Sequence, residues 1–202
     1  ENCYDLTIVS NPAVGGTVNV NPLPNCGGKY TEGTAVTLTA VPNSKYNLKN
    51  WSGDATGSTN PVVVAIDGNK SVTARFVPKN DDYDLATEIT GLTYSDTLNT
   101  TEALNAFEDD PLDPNPVGPC LDGDTYYAGH KTLWYRYTPQ VNESIQVDTL
   151  GSREIVNNQD LDTYVAVWKL VQANPRVLEL VDCNDDDATF AGSVTSRLTL
   201  VA

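Results

Sequence analysis

Gly33-Thr34-Ala35-Val36-Thr37-Leu38-Thr39-Ala40-Val41-Pro42 is the stretch that decides how this chain folds. Val36, Leu38 and Ala40 alternate with Thr37 and Thr39, the period of two that sends successive side chains to opposite faces of a β-strand. The same alternation recurs on both sides. Leu6 and Ile8, Val18 and Val20, Val62, Val64 and Ile66, and Val72, Ala74 and Phe76 each give one apolar face. Between them, Asn11-Pro12 with Gly15-Gly16, Glu32-Gly33, Ser52-Gly53-Asp54 and Asp67-Gly68-Asn69 supply residues that tolerate positive φ or form local Asx hydrogen bonds. Residues 1–78 therefore read as β throughout.

The pattern continues further along. Leu133, Tyr135 and Tyr137 alternate with Trp134, Arg136 and Thr138; Ile145 and Val147, Tyr164 to Trp168, Val177 to Val181 and Val194 to Val201 complete the strand candidates. Only Leu85 to Ile89 and Thr101 to Phe107 suggest short helices. The chain is expected to be all-β, with a β-sandwich after residue 78.

Charge divides the chain at the same place. Of 202 residues, 27 are Asp or Glu and 12 are Lys or Arg, a net charge of −15. Residues 1–78 hold five of each sign, so the whole excess lies in residues 79–202. This step, at Val77-Pro78-Lys79-Asn80-Asp81-Asp82, marks two expected domains, 1–78 and 79–202. The acidity excludes a nucleic-acid partner, which needs a cationic footprint. Apolar runs such as Val62 to Ile66 fall far short of the roughly 20 residues of a membrane-spanning helix. The opening Glu1-Asn2-Cys3-Tyr4 has neither a basic nor an apolar leader region, so a mature or excised product is expected.

Four cysteines without a Cys-x-x-Cys pair or a histidine partner point to bridges rather than zinc. A first hairpin turning at Val14 and Gly15 would place residues whose numbers sum to 29 opposite each other, as Cys3 and Cys26 do. Cys120 and Cys183 then form the second bridge, each pair inside one expected domain. Closing the two loops contributes about 3.5 and about 4 kcal/mol in the chain-entropy picture. The compartment is oxidising, extracellular or at the cell surface.

Leu6-Thr7, Gly15-Gly16-Thr17-Val18, Tyr30, Gly33 to Pro42, Trp51-Ser52-Gly53-Asp54, Asn60-Pro61 and Asn69 to Phe76 together resemble the bacterial internalin-type B-repeat-like module over residues 4–77. The resemblance implies a small β-rich repeat-type spacer of secreted and surface proteins, without catalysis.

Asn80-Asp81-Asp82-Tyr83-Asp84-Leu85-Ala86, Leu133 to Pro139, Val147 to Ser152, Asp162 to Trp168, Val181 to Asp186 and Ser196 to Leu200 resemble the bacterial pre-peptidase C-terminal domain over residues 80–202. That implies a jelly-roll-like β-sandwich serving folding, anchoring or substrate contact, and in some members binding calcium. The family usually continues for about two more strands after the one matching Ser196 to Val201. The neighbours of that strand are therefore expected from a continuation of the parent protein or from another subunit by strand addition.

Carboxylates dominate the candidate chemistry. Asp160 and Asp162 precede one strand, and Asn184, Asp185 and Asp186 follow another. If the two strands are neighbours, these oxygens converge as calcium requires. The alternative is that they are solvated turn formers. Asp81, Asp82 and Asp84, and Glu108, Asp109 and Asp110, are lesser candidates. His130 is the one histidine, and no nucleophile elbow or metal-ligand His pair accompanies it, so no catalytic residue is assigned. Trp51, Trp134 and Trp168 read as packing residues, while Tyr126 and Tyr127 are the better sugar-stacking candidates. The function expected is a non-catalytic, secreted or cell-surface structural or adhesive module, a subunit of an extracellular assembly such as a filament, or one contacting surface polymers. The alternative is an auxiliary substrate- or carbohydrate-binding region of a secreted hydrolase such as a protease.

Overall fold

The computed structural model describes residues 1–103, 131–173, 176–184 and 195–201, with the Arg176 side chain left aside. The chain is all-β: single 3-10 turns are the only helical pieces among the described residues. It separates into two compact units. The described part of the first is residues 1–103 with 131–136, and that of the second is residues 137–173, 176–184 and 195–201.

The first unit contains β1 (Cys3–Tyr4), β2 (Leu6–Asn11), β3 (Gly16–Asn21), β4 (Tyr30–Thr31), β5 (Ala35–Pro42), β6 (Tyr46–Gly53), β7 (Val62–Ala65), β8 (Lys70–Pro78) and β9 (Thr87–Ile89), the last pairing with β10 (Tyr135–Tyr137). One sheet has the order β2-β8-β6, and the other β3-β5-β7. In the first, β2 runs parallel to β8, from Leu6 opposite Lys70 to Asn11 opposite Arg75. Both sheets feed one core: Val36 and Leu38 from β5, Val64 from β7, Trp51 from β6, and Val72, Ala74 and Phe76 from β8 are all buried. Each large apolar side chain in it contributes about 1.5–3 kcal/mol over leaving it in water.

The expected first hairpin does not form. The 3-10 turn Ala13–Gly15 carries the chain from one sheet to the other, so β2 and β3 pair with β8 and β5 and not with each other. Glycine is required at this crossing because Phe76 lies against it: a Cβ added to Gly15 would stand 2.5 Å from Phe76 Cβ, closer than real Cβ atoms approach. The Cys3–Cys26 disulfide forms nonetheless, with a Cα separation of 6.2 Å. Its register comes from β1 pairing with β4, Cys3 opposite Thr31, and from the Cys26–Lys29 bridge that turns the chain back through Gly27 and Gly28.

Leu85 to Ile89 is not a helix. Tyr83–Leu85 is one 3-10 turn, and Thr87–Ile89 is β9, paired with β10. Of the other helix candidate, Thr101 and Glu102 form a turn and 104–107 lie outside the described residues.

The second unit holds β11 (Ser144–Asp148), β12 (Val165–Ala173), β13 (Arg176–Asn184) and β14 (Arg197–Val201). β12 and β13 are antiparallel, with Val165 opposite Asn184 and bulges near Val167 and Leu170. β14 pairs antiparallel with β11, from Ser144 opposite Val201 to Asp148 opposite Arg197. One neighbour of the last strand thus comes from earlier in this chain, where the sequence had suggested a later segment or another subunit.

Candidate functional site

The β12–β13 register brings the two halves of the calcium set to one end of a ladder, since Asn184 faces Val165, three residues beyond Asp162. Two of the three described residues are otherwise engaged. Asp160 pairs with the Arg153 guanidinium, and Asn184 Oδ1 accepts the Arg197 backbone N–H at 3.2 Å. Asp162 is exposed. Asp185 and Asp186 lie outside the described residues, and among those described no group of three or more His, Cys, Asp or Glu stands ready for a metal. Cys183 is disulfide-bonded, and no described cysteine is free; Cys120 lies outside the described residues. The lesser acidic candidates divide similarly. Asp82 Oδ1 accepts from the Asp84 N–H at 2.8 Å, capping a 3-10 turn, and Glu108 to Asp110 lie outside.

Another polar arrangement among the described residues is one the sequence did not indicate. Residues 94–103 lie along the first unit as a strap, with Leu98 packed on the core. Two well-buried carboxylates fasten it. Asp96 bonds Lys45 Nζ, the Tyr94 hydroxyl at 3.0 Å and the Thr97 N–H at 2.7 Å. Glu102 faces the Arg75 guanidinium through one oxygen and accepts from Asn11 Nδ2 through the other, at 2.6 Å. Between them, the Asn99 N–H donates to the Tyr46 hydroxyl at 2.9 Å. Burial pushes the Asp96 carboxyl up, but hydrogen bonds from Lys45, Tyr94 and Thr97 outweigh it and hold it below the usual aspartate value. Lys45 is raised in turn, chiefly by its bond to Asp96. These are closed pairs of opposite charge, an arrangement that fastens chain segments.

Aromatic side chains gather beside the strap. Trp134 meets Tyr83 edge-on at 5.2 Å, and the Arg136 guanidinium sits 5.3 Å from the Tyr83 ring centre while pairing with Glu88. Tyr94 and Tyr135 lie 5.8 Å apart, inclined at 60°. Burial pushes the Tyr135 phenol up to about 12, against the opposing effect of a hydrogen bond from Asn80. Trp51 is a core residue, its indole N–H donating to the Thr59 carbonyl at 3.0 Å. Tyr126, Tyr127 and His130 lie outside the described residues. No described helix is long and apolar enough to cross a membrane.

Residues 6–80 match the family of divergent InlB B-repeat domains. The first of the two resemblances thus holds over less than half of the chain, and the match stops where the resemblance to the pre-peptidase C-terminal domain would begin. No curated protein and no solved structure matches the chain. In broad terms, a B-repeat-like domain suggests a surface or structural module.

Proposed function

We propose that this chain is a non-catalytic structural or adhesive module outside the cell, and a subunit of an extracellular assembly. The observation that carries the reading is the Cys3–Cys26 disulfide, which ties the start of the chain into the B-repeat-like segment, because such a bridge persists in oxidising compartments and is rare elsewhere. The closed ion pairs of the strap support it: Asp96 and Glu102 are bound to Lys45 and Arg75, which suits fastening rather than proton transfer. Assembly by strand addition is supported by the second unit, whose described ladders have two strands each, a size that is marginal alone in water. Calcium held by Asp160, Asp162, Asn184, Asp185 and Asp186 belongs to the same proposal, as a brace for the loops beside β12 and β13.

Labelling intact source cells with a membrane-impermeant amine reagent tests the location; a labelled chain is expected, and labelling only after lysis overturns it. Sedimentation of the purified chain across a wide concentration range tests assembly. Concentration-dependent association is expected, weakened in Val201→Lys, which places a charge on an exposed position of β14. A monomer at every concentration overturns it.

A further inference from the structure

We propose that Tyr94 and Tyr135 form a stacking surface for a neutral polysaccharide, the sugar rings lying on the tyrosine faces. Both rings are held in place by their hydroxyls. Tyr94 donates to Asp96 Oδ2 at 3.0 Å, and the Tyr135 hydroxyl is hydrogen-bonded by the side chain of Asn80, which is 2 % exposed and also donates to the Trp134 carbonyl. Despite this, Tyr94 is 45 % and Tyr135 38 % exposed, so both tethered residues still present surface to water. Their centres are 5.8 Å apart at 60°, two inclined surfaces within the span of neighbouring sugar units. Because the orientation is fixed before binding, little side-chain freedom is lost when a ligand arrives.

The surroundings select the ligand. A pyranose has a C–H face that packs on an aromatic ring and a rim of hydroxyls that need partners. Lys45 stands at the edge, bonded to Asp96 by its ammonium group with its side chain 55 % exposed, so its other N–H groups can donate to sugar hydroxyls. Lys45 and Asp96 cancel each other beside the rings, so the pair offers no unmatched charge for a polyanion, which leaves neutral or N-acetylated sugars. The site gives the adhesive part of the proposed function a ligand and rests on that reading only for its biological setting.

The test uses the purified full chain with insoluble cellulose, chitin, β-1,3-glucan and mannan, and with polygalacturonate as the polyanion. Retention on at least one neutral polymer is expected, weakened at least tenfold in Tyr94→Ala and in Tyr135→Ala and largely kept in Tyr94→Phe. On the unaltered chain, the bound polymer should protect Tyr94 and Tyr135 from nitration, read by mass spectrometry, which covers the case of a variant that fails to fold. No retention, retention on polygalacturonate alone, or retention without protection of these two tyrosines overturns the proposal. Because the chain is assayed in isolation, such a failure leaves the extracellular location to the cell-labelling experiment.

Discussion

Asn11, the last residue of β2, donates its side-chain amide to the Glu102 carboxylate at 2.6 Å across 91 residues of sequence. In the β2–β8 register Asn11 lies opposite Arg75, and Arg75 meets the other oxygen of the same carboxylate. One buried glutamate therefore ties two parallel strands to a segment beyond the B-repeat-like match. Removing it strands partners that have left bulk water, a larger effect than deleting an exposed ion pair. Glu102→Ala is expected to lower stability by about 2 kcal/mol in urea unfolding at neutral pH. An unchanged midpoint would show that residues 94–103 are not part of the unit's cooperative fold.

Gly53 and Gly57 offer a matched pair. Both have φ near +90°, where an L side chain is strained by about 1–2 kcal/mol. A Cβ at Gly57 meets nothing, whereas one at Gly53 would run into the Ser71 carbonyl oxygen, which is backbone and cannot step aside. Gly57→Ala is expected to cost about 1 kcal/mol, and Gly53→Ala at least twice that, with the β6–β8 ladder displaced. Equal thermal midpoints for the two variants would contradict the close approach of these strands.

Strands with an unbroken period of two were legible: Val36 to Ala40 and Val72 to Phe76 lie in β5 and β8 with the expected faces inward. β6 was not, and its register explains why. A bulge between Leu48 and Asn50 inserts Lys49, so the inward residues fall at Tyr46, Leu48 and Trp51 and the alternation breaks. The disulfide was anticipated for the wrong reason, because alternation reveals that Leu6 to Asn11 and Gly16 to Asn21 are strands but not that a 3-10 turn sends them to different sheets. The strap was invisible. Its members, Asp96, Asn99 and Glu102, are ordinary loop residues until a lysine, a tyrosine hydroxyl and an arginine 51, 53 and 27 positions away are brought to them by the fold. Of the calcium set, the β12–β13 pairing meets the condition that the two strands be neighbours, with Asn184 opposite Val165, but the pairing of Arg153 with Asp160 was not legible, because the residues between them show no pattern that brings the two side chains together.

Asp96 gives the first unit an acid-sensitive fastening. Its folded value is depressed, so it contributes stability that is present above the ordinary aspartate value of about 3.9 and is lost as pH falls through the folded value. Lys45 has the opposite sign. Its folded value is raised, so its share is fully present below the ordinary lysine value of about 10.4 and is lost as pH rises through the folded value. Thermal midpoints measured from pH 2.5 to 7 are expected to fall more shallowly at the acid end in Asp96→Asn than in the unaltered chain, with the variant already less stable at pH 7. Parallel pH profiles would remove Asp96 from the account of acid sensitivity.

Calcium, if it binds beside β12 and β13, must compete with an arginine. Asp160 is paired with Arg153, and both side chains are about half exposed, so the pair is worth at most about 1 kcal/mol and does not bar a divalent ion. Calcium is satisfied by six to eight oxygens, of which Asp160, Asp162 and Asn184 would supply a part. An ion bound only to the folded chain raises stability in proportion to the logarithm of its concentration above the dissociation constant. Melting in chelator and then in millimolar calcium is therefore expected to raise the midpoint of the second unit. Arg153→Ala, which frees Asp160, should shift the response to lower calcium, and Asp162→Asn should blunt it. Magnesium is the control, since it demands a tighter octahedral shell and keeps its waters. Identical midpoints in chelator and calcium, in both the unaltered chain and Arg153→Ala, would leave Asp160, Asp162 and Asn184 as turn and ion-pair residues alone.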